Sequence, residues 1–326
     1  MKTVLLTHTD MDGAGCAVVF KLAHHNDNEA SVIYCSNADI DQKTQAAWDN
    51  GTIDNDTSIY FSDICPSKEM LEKLAPEFNK IRIFDHHKTN LYAVDVIPNS
   101  VIKHEPVNGK LDSGTSLLYK YYAKIAHSWP HDRRALYFNN PATSQLLLSF
   151  IDTIRSYDTY EWKATNNLMA KKLQTLFSLI GMQKFVDKYL ARLSNPGDSN
   201  ELIEEQDMTF IDGKINQEQE AIDNVTVDKV FVKDVKGYKC ALKFTSGSMN
   251  ISELSHQFLT KNPEIDVFIG INLGSNELSY RAVKKIDTGA VFAKPNGGGG
   301  HILASGSPIP DGIREQILSL ILDNIK

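Results

Sequence analysis

Hydrophobic and polar positions follow two different periods along the first half of the chain. Short apolar runs, Val4-Leu5-Leu6, Ser31-Val32-Ile33-Tyr34-Cys35, Ser58-Ile59-Tyr60-Phe61-Ser62-Asp63 and Lys80-Ile81-Arg82-Ile83-Phe84, have the length of buried strands. Between them lie stretches with helical apolar spacing, 13–22 packed closely on the first strand and 66–74 before the last. Apolar strands alternating with helices predict a parallel, doubly wound α/β sheet. Ligands of such sheets bind beyond the carboxyl ends of the strands. Here three of those ends carry acids or imidazoles: His8, Asp10 and Asp12, then Asp63, then Asp85-His86-His87.

The middle of the chain reads as helical over 113–126, 144–155, 168–180 and 184–193. Ser194-Asn195-Pro196-Gly197-Asp198-Ser199-Asn200 has the breakers and small polar residues of a linker, and 201–224 suits a connecting helix. The pattern then resets, with strands expected over 227–232, 238–244, 267–271 and 278–283 and helices over 251–259 and 313–325. The glycine run that starts at Gly297 reads as a loop. The expected organisation is a catalytic metal-binding domain over 1–193, a linker and connecting helix over 194–225, and a smaller α/β domain over 226–326.

Composition narrows the partners. A chain of 326 residues with 42% hydrophobic and 23% charged positions suits a two-domain soluble protein with a sizeable core. Its net charge of -7 argues against coating duplex DNA by phosphate neutralisation. Small anions remain open if metal ions supply local positive charge. Cys16, Cys35, Cys65 and Cys240 lie far apart with no C-x-x-C pair, which suits a reducing compartment. Asp10 and Asp12 interrupt any signal-peptide core, and no run approaches the ~20 apolar residues of a membrane span. A cytoplasmic location without a membrane partner is expected.

The chemistry starts at His8-Thr9-Asp10-Met11-Asp12. In extended chain, alternate side chains point the same way, so all three metal-capable groups would converge on one point. A helix start with Asp10 or Asp12 as its N-cap accounts for the acids but not for the histidine. Together with Asp63, His86 and one more acid from the helical region, the set is rich in hard oxygen ligands with a minority of imidazoles. That suits Mn²⁺ or Mg²⁺. It exceeds what one ion needs and suits two ions sharing a carboxylate, an arrangement suited to phosphate-ester hydrolysis.

Asp85-His86-His87 resembles the signature of the DHH phosphoesterase superfamily. The segment from His8 to Gly13 is similar to its first motif, Asp63 to its second, and Asp158 in Ser156-Tyr157-Asp158 to its fourth. Gly297-Gly298-Gly299-Gly300-His301 resembles the glycine-rich motif of the DHH-associated domain. The resemblance implies two divalent ions, Mn²⁺ in the first instance. One would be held by His8, Asp10 and Asp63 and the other by Asp12, Asp63, His86 and Asp158, with Asp63 bridging. It implies that His87 faces the scissile phosphate while Asp85 orients the histidines. For Asp158, a helix N-cap is the rival reading, and Asp152 is a competing ligand. Gly298, Gly299, Gly300 and His301 would offer backbone N–H groups and a donor to a phosphate, with Arg281 clamping the same anion. On its own, a run of four glycines means only a flexible loop.

The spacing His-x-Asp-x-Asp and the segment from Ser156 to Trp162 most resemble the nanoRNase branch. That implies a phosphodiesterase cutting short oligoribonucleotides or dinucleotides to nucleoside monophosphates by attack of a metal-bound hydroxide. Hydrolysis of cyclic dinucleotides or adenosine bisphosphate is the alternative within the superfamily. A nucleotide sensor without catalysis is the alternative outside it, and the complete set of motif positions argues against it. The oligomeric state is left open, a homodimer included.

Overall fold

The computed structural model describes residues 2–25, 27–128, 135–139, 141–195, 201–245 and 250–324. Residues 196–200 of the expected linker lie outside them. The chain forms two compact units, Met1–Asp212 and Gly213–Lys326, and the division falls within the stretch expected to connect them.

In the first unit the order is β1 (Thr3–His8), α1 (Met11–Ala23), β2 (Ala30–Cys35), α2 (Ile40–Asp49), β3 (Ser58–Ser62), α3 (Lys68–Leu74), β4 (Ile81–Asp85), α4 (Ala93–Val96) and β5 (Val101–Ile102). Helices α5 (Gly114–Ser128), α6 (Ala135–Phe138), α7 (Pro141–Asp158), α8 (Glu161–Ala164), α9 (Leu168–Ile180) and α10 (Met182–Ser194) follow. Helix α11 (Glu205–Asp223) runs from the first unit into the second. The strands pair in parallel in the order β2-β1-β3-β4-β5, the doubly wound sheet expected.

Alternate strand residues feed two cores, so the strands read as continuous apolar runs. Val4, Leu6, Ile59, Phe61, Ile81 and Ile83 join Ala47 of α2, Leu71 of α3 and Ala93 of α4. On the other face Tyr60 meets Phe20 of α1 and Tyr122 of α5, while Phe84 meets Tyr121. The winding direction changes between β1 and β3, the position where sheets of this order open a crevice. Gly13 lets α1 start hard against β1, because a Cβ there would lie 2.0 Å from the His8 carbonyl oxygen.

Helix α2 has no counterpart in the apolar pattern. Its buried face is Ile40, Thr44 and Ala47, too small and polar to register as hydrophobic periodicity.

The second unit contains β6 (Phe231–Val235), β7 (Tyr238–Phe244), α12 (Ile251–Lys261), β8 (Val267–Asn272), β9 (Glu277–Ala282), β10 (Gly299–His301), β11 (Ala304–Pro308) and α13 (Ile313–Asn324). They form a mixed sheet in the order β10-β11-β9-β8-β7-β6. Two details differ from the sequence reading. Val227–Lys229 is a 3₁₀ turn, and the strand starts at Phe231. The tight turn Lys236-Gly237, both with positive φ, sets the register, with Val235 opposite Tyr238 and Phe231 opposite Leu242. Part of the glycine run is strand β10, paired with β11, rather than a loop.

Candidate metal centre

The ends of β1, β3 and β4 and the first turn of α1 deliver the site. Asp10 is the N-cap of α1, its Oδ1 accepting from the Gly13 amide at 2.9 Å while Oδ2 lies 2.7 Å from His8 Nδ1. The chain is therefore already turning at Asp10, and Asp12 is a helical residue. This corrects the expectation that His8, Asp10 and Asp12 converge through extended geometry. His8 and Asp10 group with Asp63, whereas Asp12 groups with His86 and Asp158.

Asp12 is buried, and its carboxylate accepts from Ser113 Oγ at 2.7 Å, Gly114 N at 2.6 Å and Thr115 N at 3.1 Å. These donors belong to the start of α5, so one carboxylate satisfies the exposed amides of a second helix. Asp63 follows β3 with φ 61°, in the left-handed region, and donates its amide to Phe84 O at 2.9 Å. Gly114 lies against it, since a Cβ on Gly114 would sit 2.5 Å from Asp63 Cβ. Asp158 is the last residue of α7, and the position preceding α8 is Tyr160, so Asp158 is not an N-cap. Asp152 is directed elsewhere, to Arg155 at 2.8 Å and Lys110 at 3.8 Å.

His86 Nε2 stands 3.3 Å from Asp63 Oδ1 and 3.2 Å from Asp158 Oδ2. Nε2 of His86, Oδ2 of Asp63 and Oδ2 of Asp158 are buried without a hydrogen-bond partner. Leaving a buried polar atom unpaired costs ~1–3 kcal/mol. Three such atoms in one place, all with metal-ligating chemistry, fit divalent cations. Ligand atoms within His8, Asp10 and Asp63, and within Asp12, His86 and Asp158, all lie within 4.8 Å of one another.

The acidic groups perturb one another strongly. Burial, then the charges of Asp10 and Asp12, push the Asp63 carboxyl far above the usual aspartate range. Burial, then Asp12 and Asp10, do the same to Asp158. Burial and the neighbouring His87 hold His86 below the ordinary histidine value. Asp10 shows the opposite balance: burial raises it, but the hydrogen bond and charge of His8 prevail and bring it to about 2.

No protein-family profile matches the chain. It is 28% identical to oligoribonuclease NrnB of Bacillus subtilis (strain 168) over 317 residues, covering 95% of this chain and 74% of that protein. Among solved structures, RecJ of Thermus thermophilus in complex with Mn²⁺ superposes with a TM-score of 0.58 at 10% identity, covering 98% of this chain and 51% of that one. An exonuclease RecJ bound to manganese gives 0.55 at 12% identity, covering 100% and 91%. These structural likenesses carry the fold. The likeness in sequence to that oligoribonuclease runs along nearly the whole chain.

The tripeptide Asp85-His86-His87 itself contains unlike parts. Asp85 is buried and accepts from His86 N at 2.7 Å, His87 N at 3.2 Å, His87 Nδ1 at 2.7 Å and Asn90 Nδ2 at 2.5 Å. With both its oxygens engaged, it shapes the loop after β4. Burial lowers the His87 imidazole, but the Asp85 hydrogen bond and charge outweigh that and leave it above the ordinary value.

Ser113, Gly114, Thr115 and Asn90 escaped the sequence reading. The signal of the first three, small and hydroxyl residues at a helix start, is also that of an ordinary cap.

In the second unit Arg281 commits Nη1 to Tyr280 O and Ser305 O, both at 3.0 Å, and Nε to Ser252 Oγ at 3.3 Å. A Cβ on Gly298 would lie 2.0 Å from Gly306 O, and one on Gly300 would lie 2.7 Å from Ala304 O, while nothing lies within 4 Å of one on Gly299. Close approach to β11 therefore accounts for two of these glycines. The His301 side chain lies outside the described structure.

Proposed function

We propose that this chain is a phosphoric ester hydrolase, a phosphodiesterase that cuts short oligoribonucleotides and dinucleotides to nucleoside monophosphates. The observation that carries the reading is the meeting of Asp63, His86 and Asp158 through buried ligand atoms that no hydrogen bond satisfies. The 28% identity to an oligoribonuclease over 95% of the chain supports the substrate class. His8, Asp10 and Asp63 would hold one divalent ion and Asp12, Asp63, His86 and Asp158 the other, with Mn²⁺ as the proposed metal. When bound, such ions lower the pKa of water and neutralise charge on the phosphoryl oxygens.

The remaining roles fall to the chain's own groups. Asp12 is held by three donors and Asp85 by four, which keeps the ligand-bearing loops in place. With Nδ1–H donated to Asp85, His87 in its protonated form has Nε2–H as a second donor, for a phosphate oxygen or the leaving oxygen. Arg281, Gly298, Gly299, Gly300 and His301 are assigned to a substrate phosphate that is not cut.

The test is a panel of dinucleotides, longer RNAs, cyclic dinucleotides and adenosine bisphosphate, assayed with Mn²⁺ and compared by kcat/KM. Dinucleotides and short RNAs should lead, and Asp63→Ala should abolish turnover while the circular dichroism spectrum stays unchanged. A wild-type chain that binds dinucleotide tightly yet never turns it over would establish a sensor instead.

A further inference from the structure

Arg155 is a buried cation to which the proposed reaction gives no task. Its side chain is 6% exposed and lies one helical turn before Asp158 on α7. Nε reaches Asp152 Oδ1 at 2.9 Å, and Nη2 reaches the same atom at 2.8 Å. Nη1 and Nη2 fork onto Glu161, 2.6 Å from Oε2 and 3.1 Å from Oε1, and Nη1 also donates to Leu111 O at 3.2 Å. One guanidinium thus joins the end of α7, the first residue of α8 and the segment leading into α5. The first stretch carries Asp158. The last runs into Ser113, Gly114 and Thr115, which hold Asp12.

Between Asp158 and Glu161 the backbone passes through Tyr160 at φ 61°. A non-glycine residue there is strained and persists only where its surroundings impose it. The Arg155 carbonyl contributes by accepting from Thr159 N at 2.9 Å and Thr159 Oγ1 at 2.8 Å. We propose that Arg155 is a positioning residue. Its fork on Glu161 fixes the corner between α7 and α8 against the Leu111 segment, so that Asp158 and Asp12 stay in reach of the same divalent ion as His86. The geometry suits arginine and not lysine, because the guanidinium with five N–H donors reaches three carboxylate oxygens and a carbonyl at once, whereas an ammonium has three donors. The proposal rests on the two-ion reading above.

The experiment titrates the full-length chain with Mn²⁺, followed by calorimetry and by the electron paramagnetic resonance signal of bound Mn²⁺. Arg155→Lys and Glu161→Gln should each weaken one of two ions ~10-fold or more, leaving the other unchanged. Asp152→Asn is the comparison, because Asp152 meets Arg155 on its own helix and reaches another segment only through an exposed 3.8 Å contact with Lys110; it should leave both ions unchanged. Glu161→Gln keeps the test open if Arg155→Lys does not fold. Equal weakening of both ions with a lowered Tm would reduce Arg155 to a general stabiliser and overturn the proposal, as would equal effects of Asp152→Asn and Glu161→Gln. Two ions bound as tightly by the variants as by the wild type would overturn the positioning role alone. A wild-type chain that binds no Mn²⁺ would remove the two-ion reading, and this inference with it.

Discussion

Asp63 concentrates the logic of the site in one residue. It holds a left-handed backbone, a buried oxygen with no hydrogen-bond partner and a carboxyl far above its usual range. A carboxyl raised on folding contributes stability that is fully present below the ordinary aspartate value of ~3.9 and is lost as pH rises through the folded value. Asp63 and Asp158 should therefore make the cation-free chain less stable as pH rises, and a bound cation should take the place of their protons. Mn²⁺ titrations in two buffers of different ionisation enthalpy should report net proton release at neutral pH, with affinity rising with pH. Heats that do not depend on the buffer would contradict this. Position alone made His8, Asp63 and His86 legible, because each follows an apolar run. Ser113 was not legible, because its hydroxyl serves two helices at once, donating to Asp12 of α1 and accepting from Ser116 N of α5 at 3.4 Å.

At the scale of elements, the site depends on how closely α5 approaches β3. Gly114→Ala would place a methyl 2.5 Å from Asp63 Cβ, so backbone or carboxylate must move. We expect a loss of ~1–3 kcal/mol in denaturant unfolding and weaker Mn²⁺ binding in the same variant. Normal metal affinity would show that α5 can retreat without disturbing Asp63. Arg281 ties β9 to β11 and to Ser252 on α12. Arg281→Ala should therefore raise KM and also lower Tm; a raised KM with an unchanged Tm would mean its bonds within the unit contribute little. Strands were the readable elements, since burial on both faces leaves long apolar runs. Helix α2 was not, because its core face is Ile40, Thr44 and Ala47.

For the molecule as a whole, every proposed metal ligand lies within Met1–Asp212. A cation at 100 times its Kd stabilises the state that binds it by ~2.7 kcal/mol. Differential scanning calorimetry with Mn²⁺ and then with chelator should shift the transition of that unit and leave any separate transition of the second unit in place. An equal shift of both transitions would argue against ligands confined to one unit. Among the described residues no helix is long and apolar enough to cross a membrane.

By itself the sequence determined the parallel sheet and the three strand ends at which acids and imidazoles gather, because strand burial and crossover connections leave periodic marks along the chain. Only the tertiary structure decided how those groups divide. The turn into α1 separates Asp12 from His8 and Asp10, the start of α5 reaches back across the chain to hold Asp12, and Gly298 and Gly300 answer to the backbone of β11. The physical reason is that such contacts join residues far apart in sequence, where no local period records them.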